Sequence, residues 1–131
     1  RNPRKLEILG DGTQRKSYLY IEDAIDATLT ATNYTLEVGE KVKVYNVGNW
    51  DWTTVKEIAD TIVKVMGLKE VKYEYRYVTP NGRGWPGDVK LMLLDINRIV
   101  SETRWKPKLT SLEAVKETAK HLVRELSCNP T

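Results

Sequence analysis

Cysteine and histidine occur once each in this chain, as Cys128 and His121. A lone cysteine cannot close an internal disulfide, so the chain suits a reducing compartment, and the cytoplasm is the expected location. One histidine without a cysteine cluster cannot build a zinc site, and no metal centre is expected. Long apolar runs are also missing. No stretch approaches the roughly 20 residues that span a bilayer, and RNPRKLEILGDG at the start is charged without an apolar stretch behind it. Neither a membrane partner nor a secretory signal is therefore expected. An excess of one charge is lacking too: 21 basic residues face 18 acidic ones, for a net charge of +3. That balance argues against nucleic acid as a partner, even with Arg1, Arg4, Lys5, Arg15 and Lys16 gathered in the first part.

Two catalytic patterns are absent as well. No tyrosine is followed four residues later by a lysine, and no three glycines fall in a GxxGxxG spacing. What remains is a normal globular balance, 40% hydrophobic and 30% charged over 131 residues, which favours one domain.

Strand and helix signals alternate along the chain. Leu6–Leu9 reads as a short strand ended by Gly10-Asp11-Gly12. Ser17–Ile21 suits another. From Glu22 to Asn33, residues Ala24, Ile25, Thr28, Leu29 and Thr32 form one helical stripe, opened by acidic residues. Val42, Val44 and Val47 mark a strand over Lys41–Val47. Thr54-Val55-Lys56-Glu57 is a capping box that starts a helix, and Gly67 is placed to end it. Val71, Tyr73, Tyr75 and Tyr77 alternate with polar residues, as a half-buried strand does. After a Gly/Pro-rich loop, Asp88–Leu94 reads as a strand and Ile96–Glu102 as a short helix. Thr110 or Ser111 caps a final helix with Leu112, Val115, Ala119, Leu122, Val123 and Leu126 as its expected buried stripe. The fold class is α/β, with short strands and four helices.

Two segments carry chemistry. In GDGTQRKSYLYIED (Gly10–Asp23), the glycines allow a tight turn, and Gln14, Arg15 and Lys16 fall at the mouth of the strand that follows. Ligands of open α/β sheets collect at such edges, where a cation can neutralise a phosphate. In GWPGDVKLMLLD (Gly84–Asp95), Asp88 is a carboxylate placed to accept from vicinal hydroxyls, as acidic residues hold ribose. Arg83 sits between two glycines that let the backbone approach a ligand. Each pattern also has a plain alternative: a solvated basic turn in the first, a turn cap in the second.

The order GDGTQRKSYLYIEDA, VYNVGN, TTVKEIADTI, GWPGDVKLMLLDINRI and RWKPKLTSLEAVKETAKHL resembles the C-terminal half of the extended short-chain dehydrogenase/reductases. Within that group it is most similar to the nucleotide-sugar epimerases and dehydratases. The resemblance covers Leu6 to Leu126. It implies that residues 1–131 are a single C-terminal piece of an extended Rossmann-type enzyme, the lobe that holds a nucleotide sugar, here a UDP-sugar. Lys16 falls where family members carry an arginine on the diphosphate. Asp88 matches the ribose-holding aspartate, and Gln14 a polar position nearby. Trp85 stands where the family has a second arginine, and Arg83 is expected to do that work from two residues earlier. NAD and the catalytic tyrosine and lysine belong to the part not represented here, so this chain is expected to bind no cofactor and to be inactive alone. The segments like Tyr18–Asn33 and Val42–Val47 lie, in the family, against the cofactor lobe. Their exposed apolar surface is expected to drive self-association. The alternatives are a stand-alone nucleotide-sugar-binding or regulatory module, or a fragment of a related nucleotide-sugar dehydratase.

Overall fold

The structure, a computed structural model, describes residues 4–128. Arg1 lies outside the described residues, and so does the side chain of Cys128. The described residues form two small sheets and four helices. In the first sheet β1 (Lys5–Leu9) pairs in parallel with β4 (Lys72–Arg76), from Lys5 opposite Lys72 to Leu9 opposite Arg76. The second sheet has β2 (Arg15–Lys16) at its centre. On one side β2 meets β3 (Thr53–Thr54), antiparallel, and on the other β5 (Leu91–Met92), parallel.

Local signals set the helices. In α2 (Val55–Val65) the Thr54 side chain accepts from the Glu57 backbone N–H, and Glu57 accepts from the Thr54 N–H at 2.7 Å, the reciprocal box read from sequence. Gly67 at φ 65° ends the helix, a conformation that favours glycine. α3 spans Asn97–Thr103 and α4 spans Ser111–Cys128. Thr110 and Glu113 form the same reciprocal pair ahead of α4. α1 runs from Ile21 to Glu37, longer than expected at its C-terminal end.

Three expected strands differ. Ser17–Ile21 is not a strand; the ladder lies two residues earlier, at Arg15–Lys16. Asp88–Leu94 contracts to Leu91–Met92. Lys41–Val47 has the alternating exposure of a strand, with Lys43, Tyr45 and Val47 half-buried and Val42 and Val44 outward, yet no described strand pairs with it. Its inward side is pinned instead: Glu102 accepts from Lys43 Nζ at 2.8 Å and from the Tyr45 hydroxyl at 2.6 Å. These contacts and Arg98 hold the Glu102 carboxyl down at about 2.

The buried core is small. Ala27, Ile96, Ile99 and Trp105 form it, with Leu19, Ala31, Tyr45, Val47 and Val100 packed against them. The α1 stripe of Ile25 and Leu29 is not its inward face. Asp23 and Ala27 are buried, whereas Ile21, Ile25, Leu29 and Leu36 face outward. On α4, Ala114 and Ala119 are buried and the expected Leu112, Leu122 and Leu126 are exposed. Polar groups hold the middle together. Buried Asp23 accepts from the Lys108 and Leu109 N–H groups. Buried Asn49 donates to the carbonyls of Tyr18 and Leu109, and Ser111 Oγ accepts from the Tyr18 N–H. That web fixes the Ser17–Tyr18 segment, and with it the cleft wall described next.

Candidate functional site

The parallel β2–β5 pairing brings the two glycine-rich segments together, with Lys16 opposite Met92. Gly10 and Gly12 adopt positive φ (85° and 75°), which favours glycine, and turn the chain sharply between β1 and β2. Around that turn the loop of residues 79–88 is tied down. The Asp11 N–H donates to the Gly82 carbonyl at 3.0 Å, and Lys90 pairs with Asp11 at 2.8 Å. Gly10 has no spare room. A Cβ there would meet the Gln14 amide, the Gly82 oxygen at 2.6 Å and the Gly84 nitrogen at 2.9 Å. Asp11 is held down at about 2, first by Lys90 and then by Thr13.

Asp88 is the hub. It is 3% exposed. Its Oδ1 accepts from Lys16 Nζ at 2.7 Å, and its Oδ2 accepts from the Gly84 N–H at 3.1 Å and from Gln14 Nε2 at 3.4 Å. Burial alone would raise its pKa. The Lys16 ammonium, the Gly84 N–H and the Gln14 amide outweigh that and hold it below the usual carboxylate range. Gln14 is also buried. Its Nε2 donates to the Leu9 carbonyl and its Oε1 has no partner. Both neighbours of the Nε2 are acceptors, so the amide cannot be reversed.

Gln14, Lys16, Asp88, Trp85 and Tyr18 line one cleft of about 310 Å³, with Ile8 and Ile58 among its apolar walls. Larger clefts exist, such as one of about 560 Å³ beside Thr61, Lys64 and Lys116, but this is where polar groups of the two motifs converge. Of the four residues singled out in the sequence, Gln14, Lys16 and Asp88 meet here. Arg83 does not line this cleft. It is half-buried and its Nε is buried without a hydrogen-bond partner, a donor with no acceptor supplied by the described residues. The Asp88 carboxylate, expected to face vicinal hydroxyls, has both oxygens engaged within the protein. Sequence reasoning named Trp85 only as a departure from the family pattern and gave it no role in the site, yet its ring centroid lies 4.9 Å from Lys16 Nζ. The signal was the WPGD tetrapeptide, which has the proline and glycine of a type II turn.

This site and fold define a class. The family model described as GDP-mannose 4,6 dehydratase matches residues 1–118, and the chain belongs to that family, among the extended short-chain dehydrogenase/reductases that act as nucleotide-sugar epimerases and dehydratases. Among particular proteins, it is similar to a putative UDP-glucose 4-epimerase of Methanocaldococcus jannaschii, with 31% identity over 109 residues, 83% of this chain and 31% of that protein. A solved UDP-galactose 4-epimerase is 42% identical with a TM-score of 0.77, over 95% of this chain and 37% of its own. The UDP-glucose 4-epimerase of Thermotoga maritima, solved with UDP-glucose, is 25% identical with a TM-score of 0.72, over 95% and 36%. The chain thus spans about a third of the length of these relatives.

Proposed function

We propose that this chain is the nucleotide-sugar-holding part of an NAD-dependent UDP-sugar epimerase, with UDP-glucose 4-epimerase as the specific reading. The observation that carries it is the meeting of Lys16 and Asp88 at 2.7 Å in one cleft, from motifs far apart in sequence. Lys16 is a point charge on a flexible stem, able to turn from Asp88 to a diphosphate oxygen. That move frees Asp88 Oδ1 to accept from a ribose hydroxyl. Gln14 Oε1 offers a second acceptor. The family description names a dehydratase, whereas the proteins compared above are epimerases, and their identity to this chain favours the epimerase reading.

NAD accompanies several solved proteins of this fold and would supply a transient hydride acceptor. We infer that this chain does not hold that group by itself. Among the described residues no helix opens at a glycine-rich turn: α1 follows Tyr20, α2 follows Thr54, α3 follows Ile96 and α4 follows Thr110. The part played by this chain is therefore to bind and orient. The chain alone is expected to show no turnover and an affinity for UDP-glucose on the order of millimolar, since few contacts offset the cost of association. In amide NMR titrations, UDP should shift Gly84 and Asp88 in the wild type, and Lys16→Ala and Asp88→Asn should remove those shifts. Unchanged shifts in both variants would overturn the assignment.

The same reading concerns assembly and location. Ile25 and Leu29 of α1 are 53% and 60% exposed, and Val42 and Val44 are 75% and 72% exposed. Apolar surface of this extent tends to find a partner. Self-association through it is expected, with sedimentation giving a mass that rises with concentration and Leu29→Glu returning it to monomer. A wild-type monomer at high concentration would refute this. Among the described residues no helix is long and apolar enough to cross a membrane. The cytoplasm is our proposal for the location, resting on the lone cysteine.

A further inference from the structure

The WPGD turn does more than close a loop. The Asp88 N–H donates to the Trp85 carbonyl at 3.1 Å, and Gly87 has φ 88°. Pro86 at the second position and a positive-φ glycine at the third make a type II turn with Trp85 first and Asp88 fourth. One rigid turn therefore carries both the indole and the carboxylate, and both flank the Lys16 ammonium, at 4.9 Å and 2.7 Å. Their accessibility differs sharply. The Asp88 side chain is 1% exposed, that of Lys16 is 22%, and Trp85 is 50% exposed. What the cleft presents to an arriving molecule is an aromatic face beside a cation, over apolar walls that include Ile8 and Ile58. A planar ring joined to an anion complements that surface.

We propose that Trp85 is a stacking platform for the nucleobase of the bound nucleotide sugar, set beside the cation that takes its phosphate. This rests on the nucleotide-sugar reading of the cleft and adds to it. Because every base has a π-face, stacking by itself does not choose among bases. The platform accordingly accepts uridine and thymidine diphosphate sugars alike.

The test compares UDP-glucose with inorganic pyrophosphate, which has no base, on wild type, Trp85→Leu and Trp85→Phe. The amide shift of Gly84 is the readout in all three proteins, with the indole N–H of Trp85 as a second one in the wild type. Trp85→Leu should weaken UDP-glucose roughly tenfold and leave pyrophosphate unchanged, while Trp85→Phe should stay close to wild type. Equal weakening of both ligands by Trp85→Leu would show that the indole acts only through Lys16 and overturns the platform. No weakening of either does the same. A wild type that responds to neither ligand would instead overturn the nucleotide-sugar reading itself, and the platform with it.

Discussion

Asp88→Ala is expected to lower the unfolding free energy by roughly 3 kcal/mol, the scale for breaking a buried ion pair from one side. The reason is the number of groups that depend on one carboxylate. The Gly84 N–H loses its acceptor, Gln14 Nε2 keeps only Leu9, and Lys16 loses its counter-ion. Lys16→Ala should be milder. Lys16 is partly exposed and its departure admits water to Asp88, which keeps the Gly84 and Gln14 donors. Urea unfolding of both variants checks the order, and an Asp88→Ala protein as stable as wild type would remove Asp88 from the centre of the loop. The same carboxylate shapes the acid response. Its folded pKa is depressed from 3.8, so its stabilising contribution is fully present above that value and is lost as pH falls through the lower folded value. Asp11, held at about 2, behaves alike. Stability should therefore fall between about pH 4 and pH 2, and Asp88→Asn should flatten that fall.

Trp105→Ala is expected to cost about 3–5 kcal/mol, seen as a melting temperature lower by roughly 10–20 °C. Trp105 is 4% exposed and packs with Ala27, Ile96 and Ile99, so its loss opens a cavity in a core with few other large side chains. The indole Nε1 is buried without a partner. Trp105→Phe should accordingly be the gentler change, because it keeps a ring in place and removes an unsatisfied donor. Equal melting temperatures for wild type and Trp105→Ala would show that the cluster does not hold the fold.

Signals that act within a few residues were legible in the sequence. Thr54 with Glu57, Thr110 with Glu113, and Gly67 each do what their spacing says, because caps and left-handed turns need no distant neighbour. Strands were harder. Lys41–Val47 has the right alternation, but a ladder requires a second strand, and alternation names none. The apolar stripe of α1 was equally visible. Periodicity tells which face of a helix is apolar, not which surface it meets, and here small Ala27 and charged Asp23 point inward. In the site, Gln14, Lys16 and Asp88 were readable from motif order, which encodes a shared geometry that spacing alone does not. Arg83 was singled out and does not line the cleft, and Trp85 lines it without having been given a place in it, because position along a loop does not tell which side chain turns toward the cleft.

β1 has its only described strand partner in β4, and Lys5 cannot meet Lys72 until everything between them exists. A ribosome adds about 5–20 residues each second, so the first strand waits on the order of seconds after it emerges. The Gly10–Gly12 turn waits longer, since its tethers at Gly82 and Lys90 are made later still. Slower elongation lengthens that interval and the time during which Leu6 and Ile8 stay accessible to chaperones. The cleft between Lys16 and Asp88 thus stays open to solvent until translation has passed the second of its two motifs.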